Sequence, residues 1–294
     1  HTLTASTPGR IPIPMNPPNV AETTEESQIW RLEGSSAEAY ERYLVPMMFA
    51  PWAEQLVERA AVKAGERVLD VACGTGIVAR YAATRVGPRG TVVGLDLNEG
   101  MLRQARAAAS RTATGVEFTA ASASEMPFED GAFDVVFCQQ ALQYFQDRPR
   151  AIAEMRRVLA RNGRLAISVW RPIEHNPGYV VLADALERHV GPEASAVMRS
   201  PFPSWSLEDL RGIFRTAGFN DVHINVGIGT IRYPSGHEFL RREVASSPLA
   251  GPLEHLSATV RDAVVHDLEE GLRSYHDDDG LVFPMETYLI LALP

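Results

Sequence analysis

From residue 68 to residue 170 the chain alternates two hydrophobic patterns. Short apolar runs at 68–71, 91–96, 116–120, 133–138 and 165–170 are rich in Val, Leu, Ile and Phe and read as strands. Between them, 77–83, 99–110 and 148–159 repeat apolar residues every three to four positions, as a helix with one buried face does. Strands alternating with helices at this rhythm are βαβ units, which build a mostly parallel sheet. Ahead of them, Tyr40, Tyr43 and Leu44 share one face of a helix that opens near Ser36. Pro51 suits the first turn of the next helix, through Trp52, Leu56, Val57 and Ala60. After residue 170 the pattern predicts helices at 178–189 and 207–217, a strand at 222–233, helices at 235–244 and 252–275, and a last strand at 281–293. Residues 1–27 hold Pro8, Pro12, Pro14, Pro17 and Pro18 among Ser, Thr and Asn, the composition of a flexible tail.

The first apolar run breaks into Ala72-Cys73-Gly74-Thr75-Gly76 and a helix follows at once. A glycine turn between strand and helix N-terminus lets backbone N–H groups approach a nucleoside-like ligand. Asp96 ends the second run, 26 positions beyond Asp70, and falls where an acid can hold two ribose hydroxyls. Asn98 stands where it can cap the following helix. Composition narrows the partners. The chain is 45% hydrophobic, and its net charge of −9 argues against nucleic acid and anionic membranes as partners. Two cysteines, Cys73 and Cys138, make no disulfide framework, and no apolar run is long enough to cross a membrane, so a cytoplasmic protein is expected. The acidic turn Asp277-Asp278-Asp279-Gly280 reads as solvated, and no His/Cys/Asp group has metal-ligand spacing.

In order and spacing, Val68 to Gly76 resembles motif I of the class I S-adenosylmethionine-dependent methyltransferases, and Gly94-Leu95-Asp96-Leu97 resembles their second-strand acid. The stretch from Ala121 to Val136 is similar to their third-to-fourth strand signature, and Arg156 to Leu165 to their helix, turn and fifth strand. The nearest likeness is to the small-molecule branch that includes ubiquinone and menaquinone biosynthesis. The resemblance implies a Rossmann-like α/β fold: a seven-stranded, mostly parallel sheet with helices on both faces, N-terminal helices, and a helical cap between the last two strands. Residues 28–294 would form one methyltransferase domain. Its cofactor-binding core would lie at about 52–170, 219–233 and 281–293, and its substrate cap at about 36–50, 171–218 and 234–276.

Carried over residue by residue, the resemblance assigns S-adenosylmethionine to Asp70 and to the loop Ala72, Cys73, Gly74, Thr75 and Gly76. Asp96 would take the ribose, with Leu97 and Met101 beside the adenine. Ser122 stands where the family often has an acid, and its hydroxyl or the Ala123 backbone would meet the adenine amino group. Gln139 and Gln140 would face the methionine end, and Tyr40 and Tyr43 would cover the cofactor or pack in the core. The methyl acceptor is expected to be a small, partly apolar molecule. O-methylation is favoured slightly over C- or N-methylation, and Cys138-Gln139-Gln140-Ala141 lacks the Asn-Pro-Pro-Tyr box of enzymes that methylate exocyclic or glutamine amines. His175, His237 and Tyr144 are the candidate general bases. Two rivals stand beside this reading. Gly74-x-Gly76-x-x-Ala79 with Asp96 also fits a nicotinamide dehydrogenase, although Asp70 would crowd a pyrophosphate. The other is a non-catalytic nucleoside sensor.

Overall fold

The computed structural model describes residues 35–112, 115–250, 253 and 256–294, so the expected tail at 1–27 lies outside the described residues. Five strands, β1 (Arg67–Val71), β2 (Thr91–Asp96), β3 (Val116–Ala120), β4 (Phe133–Gln139) and β5 (Leu159–Trp170), pair in parallel. Two long strands complete the sheet antiparallel: β8 (Gly280–Leu293) pairs with β5, and β6 (Asp221–Tyr233) pairs with β8 along its full length. The order is β3-β2-β1-β4-β5-β8-β6, and the two-residue β7 (His276–Asp277) folds back on β8 around the acidic turn. The Rossmann-like sheet with helices on both faces is therefore present.

Successive strand residues face opposite sides, so Val68, Val135, Phe137 and Ala166 enter one core while Leu69, Val136, Cys138 and Ile167 enter the other. Helices α2 (Ala50–Arg59) and α3 (Ile77–Val86) cover the first face. The second is covered by α5 (Arg148–Val158) and α8 (Leu207–Thr216). Helix α4 (Glu99–Thr112) links β2 to β3 and is capped by Asn98, whose Oδ1 accepts the Gly100 N–H at 2.8 Å. The chain reaches α2 through α1 (Ser35–Ala39) and a ten-residue π-helical stretch, Tyr40–Phe49, with Pro46 inside it. Helices α6 (Pro177–His189) and α7 (Pro192–Arg199) follow β5, and α9 (Gly236–Ala245) and α10 (Ala258–Gly271) lie between β6 and β8; α8, within the stretch expected as cap at 171–218, packs on the sheet through Leu210 and Phe214.

Three local expectations change. Helix α7 lies between the helices expected at 178–189 and 207–217; Gly191 has φ 141°, and Pro192 starts the helix at its first position. The helix expected at 252–275 is α10 followed by a single 3₁₀ turn, Arg273–Tyr275, since Ser257 caps α10 by accepting the Val260 N–H; residues 251, 252, 254 and 255 lie outside the described residues. Strand β5 begins at Leu159, which pairs with Phe133 before the register shifts and Arg164 pairs with Val135. No helix among the described residues is long and apolar enough to cross a membrane.

Two junctions set the site. In the first, the loop after β1 puts three residues in the left-handed region, Ala72 (φ 53°), Gly74 (φ 54°) and Gly76 (φ 79°). The Cys73 N–H bonds to Leu95 O at 2.9 Å and the Gly76 N–H to Cys73 O at 2.8 Å. Gly76 precedes α3 and has no side chain to cap it. Asp70 caps the helix from the strand instead, its Oδ2 accepting the Ala79 N–H at 3.0 Å. In the second junction, the Trp52 indole of α2 lies against β6 over two glycines. A Cβ at Gly227 or Gly229 would stand 2.7 or 2.8 Å from the ring. Trp52 in turn meets Trp170, at the end of β5, edge-on with centroids 6.3 Å apart.

Gly229→Leu therefore displaces Trp52, and overpacking of this kind costs about 1–3 kcal/mol; a lowered Tm by calorimetry checks it. Burial pushes the Asp70 carboxyl from 3.8 up to about 8, with the Asp96 charge adding to the rise and the Ala79 N–H opposing it. A folded-state value above the unfolded one stabilises the protein at low pH, and that contribution is lost as pH rises through about 8. Asp70→Asn keeps an acceptor for Ala79 but cannot titrate. Urea unfolding should thus show wild type losing stability relative to D70N as pH climbs from 4 to 8.

Candidate active site

At the carboxyl ends of the parallel strands, where open α/β sheets bind ligands, lies a cavity of about 520 Å³. Gly74, Asp96, Leu97 and Met101 line its polar end. The Asp96 carboxylate is fixed by two backbone donors, Gly74 N–H at 2.8 Å on Oδ2 and Asn98 N–H at 2.8 Å on Oδ1. Ser122 and Ala123, after β3, border the same end. At Gly74 the space that a side chain would fill is open: no atom lies within 4 Å of a Cβ there.

Gln139 and Gln140, at the end of β4, form the middle. Gln139 donates from Nε2 to Phe49 O at 2.9 Å and ties the strand to the π-helical stretch. Gln140 adopts φ 51°, strained for a residue with a side chain. Its Nε2 donates to Thr287 Oγ1 at 2.9 Å, and that hydroxyl spends its own proton on Val169 O at 2.7 Å. The amide is thereby oriented, with Oε1 left as a buried acceptor lacking a partner among the described residues. An orphaned acceptor of this kind calls for a donor from a ligand.

Beyond the glutamines the wall turns aromatic. Ring contacts run from Tyr40 to Phe49 (4.9 Å), Phe49 to Trp170 (6.3 Å), Trp170 to Phe202 (6.4 Å) and Phe202 to Tyr179 (5.0 Å). At the end of this line sits Glu243 of α9, 4% exposed. Its Oε1 accepts both the Tyr179 hydroxyl at 2.9 Å and the Tyr233 hydroxyl at 2.5 Å. Burial pushes the Glu243 carboxyl from 4.5 up to about 7, against the pull of the two phenolic hydrogen bonds. The cavity is lined by three carboxylates, Asp96, Asp147 and Glu243, and by no Lys, Arg or His among the described residues.

The structure thus brings Tyr40, Ala72, Gly74, Asp96, Leu97, Met101, Ser122, Ala123, Gln139, Gln140 and Tyr144 to one cavity. It sets the other expected residues elsewhere. Asp70 lies behind the loop on α3, and Cys73 packs with its Sγ beside Gly94. Thr75 is buried, and Gly76 backs onto the Phe118 ring. Tyr43 sits beneath the guanidinium groups of Arg42, Arg241 and Arg242, away from the cavity lining. The wider turn of the π-helix rotates it away from Tyr40, which three-residue spacing in an α-helix would have kept on the same face.

The expected bases divide as well. His175 stands outside the cavity, 3.0 Å from Arg171 in a cluster with Glu286. His237 is exposed on α9, whose buried face carries Gly236, Phe239, Leu240 and Glu243. Tyr144 does line the cavity, and burial raises its hydroxyl far above the usual phenol range. Glu243, Tyr179, Trp170 and Phe202 were not anticipated. For Glu243 the signal was present: an acid occupies the fourth position of an otherwise apolar i, i+3, i+4, i+7 face.

S-adenosylmethionine, which carries net positive charge, fits this donor set: a fixed carboxylate at the end of β2, an open glycine loop, and an orphaned amide oxygen in an acid-lined cavity. Comparison with known proteins gives the same answer. Residues 69–167 match the methyltransferase domain family. The chain is 29% identical over 219 residues to a demethylmenaquinone methyltransferase of Listeria monocytogenes, covering 72% of this chain and 92% of the relative. It is also 29% identical over 197 residues to a ubiquinone/menaquinone biosynthesis C-methyltransferase of Cupriavidus metallidurans, covering 59% of this chain and 80% of the relative. Among solved structures, the phosphoethanolamine N-methyltransferase 2 of Haemonchus contortus, in complex with S-adenosyl-L-methionine, shares the fold at TM-score 0.55 and 20% identity, over 88% of this chain and 56% of that one. A sheet of this order, a cavity at its carboxyl edge and a matching domain across its first five strands lead to one conclusion: residues 69–167 carry a methyltransferase domain, and the chain is an S-adenosylmethionine-dependent methyltransferase.

Proposed function

We propose that the enzyme methylates a small, partly apolar, uncharged acceptor lying against Phe49, Trp170 and Phe202, and that the methyl group goes to a hydroxyl oxygen. One observation carries this reading: the cavity passes without interruption from Gly74 and Asp96 to an aromatic wall that offers no cation. An anionic acceptor would meet three carboxylates and no basic side chain there. A flat apolar acceptor gains ring contacts and loses little hydration. S-adenosylmethionine, when bound, supplies an electrophilic methyl group on a sulfonium. What is left to the chain is to align the acceptor, exclude water and accept a proton. The rings from Phe49 to Phe202 do the first, and the helices α6, α7 and α9 above the strand ends do the second.

C-methylation is a second reading, favoured by the relative named as a ubiquinone/menaquinone biosynthesis C-methyltransferase. A reduced naphthoquinone offers both a hydroxyl and a ring carbon, so labelled methyl transfer to it with product NMR separates the two. An O–CH3 signal is expected; a ring C–CH3 signal selects the alternative, and no transfer to any hydroxyarene removes both. Asp96→Ala deletes the acceptor of two backbone N–H groups at the loop, and charged hydrogen bonds are worth about 1.5–3 kcal/mol. Calorimetry should therefore show S-adenosylhomocysteine binding weakened about 10- to 100-fold. Phe202→Ala should instead raise the acceptor KM about tenfold and leave that binding unchanged.

A further inference from the structure

Each carboxylate on the cavity wall has a different employment. Asp96 holds the Gly74 and Asn98 N–H groups. Asp147 caps α5 by accepting the Arg150 N–H at 2.9 Å. Asp70, though buried nearby, does not reach the cavity. Glu243 alone has no backbone donor and no cation. Two phenols, Tyr179 from α6 and Tyr233 from β6, converge on its Oε1 and leave Oε2 to the cavity that Glu243 lines. A carboxylate that only held the cap together would be paired with an Arg or Lys, or replaced by an apolar residue at lower cost.

We propose that Glu243 accepts the acceptor's hydroxyl proton through Oε2, with Tyr179 and Tyr233 as positioning residues that hold Oε1. The inference rests on the hydroxyl-methylating reading above and names its base. In the step, a lone pair on the acceptor oxygen forms the O–C bond while the C–S bond breaks with its electron pair left on sulfur, and the O–H proton passes to Oε2. The carboxylic acid so formed returns its proton to water once product has left. The aromatic surroundings that raise Glu243 to about 7 match it to this work, because a base is most effective when its own value lies near the working pH.

The groups around Glu243 leave it as the titrating centre. On its own helix, Arg241 and Arg242 pair with Glu238 on the outer face. From α10, Glu269 is engaged by the Gly236 N–H and by His276. Glu38 is exposed on α1, and the π-helical stretch presents Met48 to Tyr179 while its Tyr43 faces the arginines. Tyr179 and Tyr233 are both held protonated by burial, with the Glu243 charge reinforcing it, and so remain donors.

The test joins three measurements. In the wild-type complex with S-adenosylhomocysteine, carboxyl ¹³C NMR should show Glu243 titrating near pH 7; a value in the ordinary range of 4 to 5 overturns the proposal. With 2-naphthol as acceptor, kcat/KM should rise with pH through about 7, because the base must be ionised. Tyr233→Phe removes a donor that stabilises the carboxylate, so the rising limb should move to higher pH, a shift that loss of packing alone would not produce. Glu243→Gln should lower kcat about 10²- to 10⁴-fold and leave S-adenosylhomocysteine binding within twofold by calorimetry. Full turnover in E243Q, or loss of its S-adenosylhomocysteine binding, overturns the proposal. So does a raised KM for phenethylamine with kcat intact, which would make Glu243 an amine-binding group. Failure of wild type itself to bind S-adenosylhomocysteine or to methylate any phenol strikes the underlying reading instead.

Discussion

The hydrogen bond from the Ala79 N–H to Asp70 fixes the relation on which the site depends. It joins a strand to the start of the next helix across a loop that cannot cap that helix for itself. With Asp70 holding the helix end, the loop between can rise into left-handed geometry at Ala72, Gly74 and Gly76 and present backbone to the cavity. The same loop is tied sideways to β2 through Leu95 and Asp96. A carboxylate buried to 1% exposure and raised to about 8 is costly to ionise, and the helix end it faces offsets part of that cost. The acid in the first strand is thus a structural part of the cofactor loop, set one layer behind the groups that face the ligand.

The aromatic wall depends on a second set of contacts, further from the strand ends. Trp52 rests on Gly227 and Gly229 of β6 and meets Trp170 edge-on. Trp170 then reaches Phe49 and Phe202. Residues far apart in sequence therefore set the shape of the acceptor end together: the N-terminal helices, the end of β5, the helices after it and the antiparallel strand β6. The polar end is built otherwise, from consecutive loops at the tips of parallel strands. A polar half built from local loops and an apolar half shaped by distant packing suit a fold in which one methyl donor serves many acceptors.

How much of this was legible in the sequence follows from the same division. The strands, their order of appearance and the loop residues could be read because each rests on local pattern: apolar runs, glycine spacing, an acid at a strand end. Gly74 and Asp96 reach the cavity as that pattern implied, and Met101 and Ser122 as the family resemblance implied. The cap could not be read this way, since its lining is fixed by tertiary packing. His175 and His237 drew attention by residue type, yet one turns toward Arg171 and Glu286 and the other points out from α9. Tyr43 parts from Tyr40 because the backbone between them takes the wider π turn. Glu243 was marked by an acid on an apolar helix face, but only the approach of Tyr179 and Tyr233 from other elements shows why it is there.

That the charged residues lining the cavity are all acidic has a consequence for turnover. Methyl transfer turns a sulfonium into a thioether, so the ligand at the polar end loses a positive charge while its shape scarcely changes. Walls bearing carboxylates and no cation grip the charged form more firmly than the discharged one. Charge alone therefore favours the donor over the spent nucleoside, and the carboxylates that recruit the one contribute to clearing the other.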